Sequence, residues 1–137
     1  MDARTREFVR QRPSWRCEYC GFPEGALPYL FFHVDHIIAK QHLDVVSDDP
    51  EFLAWACSEC NYNKGPNLVS IDPITKQITD LFNPRRDSWI DHFSIDRGRI
   101  VGRTPAERAT ARLLNMNAPR LARLRSRLED QGEFDTD

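Results

Sequence analysis

No apolar run in the 137 residues approaches the roughly 20 needed to cross a bilayer as a helix, which excludes a membrane-spanning segment of that kind. None follows Met1-Asp2-Ala3-Arg4-Thr5-Arg6 either, so no signal peptide or anchor is expected, and the expected compartment is the cytoplasm. Net charge is nearly absent: 19 Lys and Arg against 21 Asp and Glu leave −2, so bulk basicity gives no sign of a nucleic-acid partner. Internal repeats, low-complexity tracts and a linker long enough to separate two domains are also missing. What remains is ordinary for a globular protein, with 40% hydrophobic and 29% charged residues over a length suited to one domain spanning 1–137.

Cysteine is scarce, and its placement is informative. The four form two pairs of identical spacing, Cys17-Glu18-Tyr19-Cys20 and Cys57-Ser58-Glu59-Cys60, with none left over. One such pair could be a redox motif or half of a metal site. Two pairs make a complete thiolate set for a closed tetrahedral zinc, whose role would be structural because no position is left for water. Gly21, after the first pair, can take the positive φ of a tight turn.

The chain between and around the pairs has the periodicities of an α+β protein. Residues 3–12 suit a short helix ended by Pro13. Tyr29 to Ile38 has strand character, 39–50 reads as a polar loop, and Phe52 to Ala56 as the returning strand. From Ser58, a candidate N-cap, a two-turn helix should run to Gly65-Pro66, with Asn61 and Lys64 on one face. Ile71 to Ile78 reads as one hairpin, and Asp91 to Val101, turning at Asp96-Arg97-Gly98, as another. Thr104-Pro105-Ala106-Glu107 predicts a capping box opening a helix that ends near Asn115. Pro119 starts a last helix with Leu121, Leu124 and Leu128 inward and Arg123 and Arg127 outward, before a frayed acidic tail over 131–137. The tryptophans Trp15, Trp55 and Trp89 are expected to pack around the zinc module, and His33 to be a hydrogen-bonded core residue.

Between the cysteine pairs stands Asp35-His36, and behind the second pair Asn61 and Lys64. Hydrolysis of a phosphodiester needs an activated water and a cation to stabilise charge on the phosphate and the leaving oxygen. Asp35 and Asn61 offer oxygen ligands of the type that suits Mg²⁺ or Mn²⁺. His36 is the candidate general base, and Lys64 the candidate phosphate contact. The bland alternatives are a satisfied surface pair for Asp35 and His36, and a helix C-terminal cation for Lys64.

Asp35-His36-Ile37-Ile38, Cys57-x-x-Cys60-Asn61-x-x-Lys64-Gly65 and Arg16-Cys17-x-x-Cys20 together resemble the zinc-stapled HNH endonucleases with the ββα-metal fold, and the flanking residues look like a small stand-alone bacterial subgroup. The resemblance covers 15–67 most clearly. It implies a ββα-metal core with a four-cysteine structural zinc site, followed over 68–130 by hairpins and C-terminal helices. It also implies one catalytic cation on Asp35 and Asn61, His36 as base, and products with a 5′-phosphate and a 3′-hydroxyl. The partner implied is nucleic acid, expected to be DNA, with the arginine-bearing helices beside it and Arg16 and Lys64 in contact. One position departs from the pattern. Where such enzymes carry an asparagine that steadies the histidine, this chain has Phe52, so a backbone carbonyl or Asn63 would have to substitute, or catalysis would be weakened or lost, leaving a zinc-stapled binding module.

Overall fold

In a computed structural model, which describes residues 1–134, the chain runs from α1 (Ala3–Gln11) into a cysteine knuckle and then β1 (Phe32–His36). A loop with two single 3₁₀ turns leads to β2 (Leu53–Cys57), which continues without a break into α2 (Ser58–Lys64). β1 and β2 pair antiparallel, Phe32 opposite Cys57 and His36 opposite Leu53. That is a ββα unit, and all of β2 is buried.

The rest wraps this unit. The hairpin β3 (Val69–Ile71) and β4 (Ile78–Asp80) precedes a helical turn, α3 (Trp89–His92), and a second hairpin of β5 (Phe93–Asp96) and β6 (Arg99–Gly102). Two helices close the chain, α4 (Pro105–Leu113) and α5 (Pro119–Asp130). The second hairpin turns on Arg97 at φ 50° and Gly98 at φ 82°. A side chain at Gly98 would meet the backbone of α5, with a Cβ only 2.1 Å from the Ala122 carbonyl. No helix among the described residues is long and apolar enough to cross a membrane.

One continuous core joins the knuckle, β2, the second hairpin and the last two helices, through Tyr19, Phe22, Trp55, Phe82, Phe93, Leu114 and Leu128 among others. The knuckle is tied to β2 by backbone and side chain together. The Glu18 amide donates to the Trp55 carbonyl at 2.8 Å, and the Glu18 carboxylate accepts the Trp55 amide at 2.7 Å. Glu24 accepts both Arg10 of α1 and the Trp55 indole N–H. Trp89 donates its indole N–H to the Tyr19 carbonyl and stacks on Phe93, whereas Trp15 is half exposed.

Several local expectations are corrected. Ser58 is not the N-cap of α2; Cys57 is, its sulfur accepting the Cys60 amide. The capping box at 104–107 does not form, because Thr104 makes no side-chain bond to the helix and Glu107 turns inward to the His92 ring, 3.3 Å away. His92 belongs to a helical turn, not a strand. The tail is not frayed where it is described: Phe134 is buried and meets Phe22 edge to face at 6.2 Å. Asp135 and Asp137, also expected in that tail, lie outside the described residues. His33 is exposed, not a core histidine.

Candidate active site and metal centre

The four cysteines come together. The knuckle supplies Cys17 and Cys20, and the junction of β2 with α2 supplies Cys57 and Cys60; all are buried, with their sulfurs within 4.8 Å of one another. The backbone builds the pocket for them: the Cys20 and Cys60 amides point at the sulfurs of Cys17 and Cys57. Despite burial, hydrogen bonds from Cys20, Cys57 and Cys60 hold the Cys17 thiol well below its ordinary value. Cys57 and Cys60 are pushed up, first by their bonds to Cys17. One negative charge is easy in this cluster, and the next are opposed by the first. A divalent cation of zinc type removes that opposition, so the donor set fits a structural metal site.

Asp35 and Lys64 also come together, in a different relation from the one expected. Lys64 is 2% exposed and Asp35 5%. The ammonium lies 3.2 Å from one carboxylate oxygen of Asp35 and 3.3 Å from the other, and donates as well to the carbonyl of Ile37 at 3.0 Å. Tyr19, from inside the knuckle, donates its hydroxyl to Asp35 at 2.7 Å. Burial pushes the Asp35 carboxyl up, against the pull of Lys64 and Tyr19. Lys64 therefore does not face outward to a phosphate; its ammonium pins the end of β1 to α2.

His36, the next residue, points the other way and is partly exposed. Its Nε2 lies 3.1 Å from Oδ1 of Asp48 in the connecting loop. The bond to His36 holds the Asp48 carboxyl below its ordinary value, so Asp48 is an anion that can only accept. The nitrogen that faces it, Nε2, is then the donor, and in the neutral form of the imidazole the lone pair is on Nδ1, which has no hydrogen-bond partner among the described residues.

Residues 17–67 match the family model of the HNH endonucleases. That segment begins at the first cysteine and ends three residues after Lys64, so it takes in the cysteine cluster, the ββα unit and both of the buried and exposed pairs just described. No curated protein and no solved structure matches the chain.

The remaining site residues of the HNH segment are placed as follows. Asn61 is partly buried on α2 and its amide makes no side-chain hydrogen bond among the described residues. An ionised carboxylate has about four lone-pair positions. Tyr19 and Lys64 together make three contacts with Asp35, which leaves one position on Oδ1. Asp35 and Asn61 offer oxygen donors of the type a hard divalent ion takes, and the Lys64 ammonium already lies against the Asp35 carboxylate. Arg16 is partly exposed, and its guanidinium donates to the carbonyls of Gly21 and Glu133, which holds the C-terminal segment on the knuckle.

Phe52 is half exposed, and only its backbone takes part, its carbonyl accepting the Ile37 amide. Asn63 does not substitute for the missing asparagine either, since its amide donates to the Leu114 carbonyl. Asp48 is the residue that sequence reasoning missed.

Proposed function

We propose that the chain is one endonuclease domain that hydrolyses phosphodiester bonds in DNA in the presence of Mg²⁺ or Mn²⁺, with His36 as general base. The observation that carries this reading is the His36–Asp48 pair at 3.1 Å, on a segment that matches the HNH endonucleases. Asp48 fixes the imidazole with its proton on Nε2. Nδ1 is then free to take a proton from water as the oxygen attacks phosphorus. A divalent ion held by Asp35 and Asn61 would supply charge stabilisation for the phosphate and the leaving oxygen. Lys64 and Tyr19 act one step back, keeping Asp35 and the end of β1 in register with α2. The cysteine cluster fixes the start of the same helix, so the base and the oxygen ligands are set by one stapled unit.

The test is incubation of supercoiled plasmid with the purified full chain and Mg²⁺ or Mn²⁺, with His36→Ala as the comparison. Nicking that disappears in the variant is expected. Nicking that survives it overturns His36 as base. A second reading, a metal-stapled module that binds nucleic acid without cutting it, is favoured by Phe52 and by the closeness of Lys64 to Asp35. Retention of plasmid in a gel-shift assay without any nicking in either metal would select it.

A further inference from the structure

Among the described residues, Arg125 is the only arginine with no surface exposure, at 0%. It stands on α5 between charged neighbours that all point outward, Arg123 and Arg127 among them. A guanidinium stays charged inside a protein, and a buried charge without an opposite charge costs several kcal/mol, of the order expected for one unpaired ion. Yet no carboxylate pairs with Arg125 among the described residues. Two of its nitrogens donate to backbone carbonyls, Nη1 to Gly98 at 2.7 Å and Nη2 to Met116 at 3.0 Å. Nε is buried with no partner. The guanidinium lies over the Phe22 ring, 4.6 Å from its centroid, and Phe22 is the residue whose carbonyl closes the knuckle onto the Cys17 amide. Phe22 stands two residues after Cys20, so the guanidinium lies against the knuckle that carries the first cysteine pair. Burial works against its charge, and the attraction of Cys20, Cys60 and Cys17 acts the other way.

The cysteine cluster has the complementary problem. Four thiolates around one divalent ion carry a net charge of −2 in a fully buried site. We propose that Arg125 is the counter-charge of the four-cysteine metal site. The proposal rests on reading the cluster as a zinc site. It makes Arg125 a positioning residue of that site, in place of the nucleic-acid surface that its neighbours in sequence suggest. It also ties three separate parts of the chain to the metal, because the same guanidinium holds the turn of the second hairpin at Gly98 and the connection between α4 and α5 at Met116.

The experiment measures zinc affinity of the full chain by competition with a chromogenic chelator, for wild type, Arg125→Lys, Arg125→Met and Leu128→Ala. Loss of a group that supports metal ligands commonly costs about tenfold to a hundredfold in affinity. Arg125→Met is expected to lose about that much, and Arg125→Lys, which keeps the charge, to stay within roughly threefold of wild type. Leu128→Ala removes apolar packing from the same buried face of α5 and should lower thermal stability while leaving zinc affinity near wild type. In the cobalt-substituted protein the sulfur-to-metal charge-transfer band should move to lower energy in Arg125→Met and hold its place in Arg125→Lys. Unchanged affinity in Arg125→Met, or an equal loss in Leu128→Ala, overturns the proposal. If Arg125→Met does not fold, Arg125→Lys decides, since a tenfold loss with the charge retained contradicts a counter-charge role. Wild-type protein that takes up no zinc would instead remove the metal site itself, a failure separate from that of Arg125.

Discussion

Lys64 Nζ lies 3.2 Å from Asp35 Oδ2, and both side chains are buried. Removing one member of such a pair leaves the other charge without compensation, which typically costs about 3–5 kcal/mol. Lys64→Met is therefore expected to lower unfolding stability by about that amount, because Asp35 would keep only the Tyr19 hydroxyl. Chemical denaturation at fixed zinc concentration measures it. A loss below about 1 kcal/mol, the range of an exposed ion pair, would contradict the inward placement of Lys64.

Asp48 gives a prediction about rate. It is roughly half exposed in a loop, so its removal should leave the fold intact, while His36 loses the partner that sets its proton on Nε2. If the chain cuts DNA as proposed, Asp48→Ala should slow nicking by about tenfold to a hundredfold. Asp48→Asn, which still offers a carbonyl oxygen to Nε2–H, should recover part of that loss. Equal rates for wild type and Asp48→Ala would remove Asp48 from the mechanism.

Much of this was legible in the sequence because it is local. Paired cysteines at equal spacing, aromatic and β-branched runs, and Gly65-Pro66 behind Lys64 each report on their own few residues, and the ββα unit follows from them. The failures involve charged side chains whose burial depends on distant partners. Lys64 reads in sequence as a phosphate contact on the face it shares with Asn61, and only the packing of α2 on β1 turns it inward to Asp35. Arg125 does carry a local signal. It falls four residues after Leu121 and three before Leu128, on the apolar stripe of α5 and not on the polar one. Asp48 is twelve residues from His36, in a loop with no periodicity to mark it. The capping pattern at 104–107 failed for a comparable reason, since Glu107 is drawn to His92 on another element.

The cysteine cluster predicts a strong dependence of the fold on metal. Cys60 stands at the start of α2 and Cys57 caps that helix, so losing the metal loosens the same segment that carries Asn61 and Lys64. Wild-type protein should contain one zinc per chain by elemental analysis. Cys60→Ser should lose that zinc and unfold at a markedly lower temperature, and a strong chelator should shift the wild-type transition in the same direction. A melting temperature indifferent to chelator would argue against a structural role for the metal.

Asp72 predicts a pH dependence away from the candidate active site. Its carboxylate accepts two bonds from Arg108 of α4, at 2.9 and 2.8 Å, and others from Ile74 and Thr75 in the turn of the first hairpin. Arg108, helped by those donors, holds the Asp72 carboxyl well below its ordinary value of 3.8. A depressed acid contributes stability that is fully present above the unfolded value and is lost as pH falls below it. The difference in urea midpoint between wild type and Asp72→Asn should be constant above about pH 5 and shrink below it. Metal loss in acid affects both proteins alike, so the difference isolates Asp72. A gap that widens on acidification would contradict the sign.

Phe52→Asn separates two accounts of the imidazole. Phe52 is 52% exposed, and its fixed contribution is the carbonyl that accepts the Ile37 amide, which asparagine preserves. Surface exchanges of this kind usually stay within about 0.5 kcal/mol, so stability should hardly change. If Asp48 already orients His36, an added amide at 52 gains little, and nicking should rise by less than about threefold, a small effect beside the tenfold or more that a missing partner costs. A wild type that is inert and a Phe52→Asn variant that nicks plasmid would give the other account: the natural chain would be a weakened nuclease or a binder, and the 3.1 Å contact with Asp48 would be insufficient to poise the base.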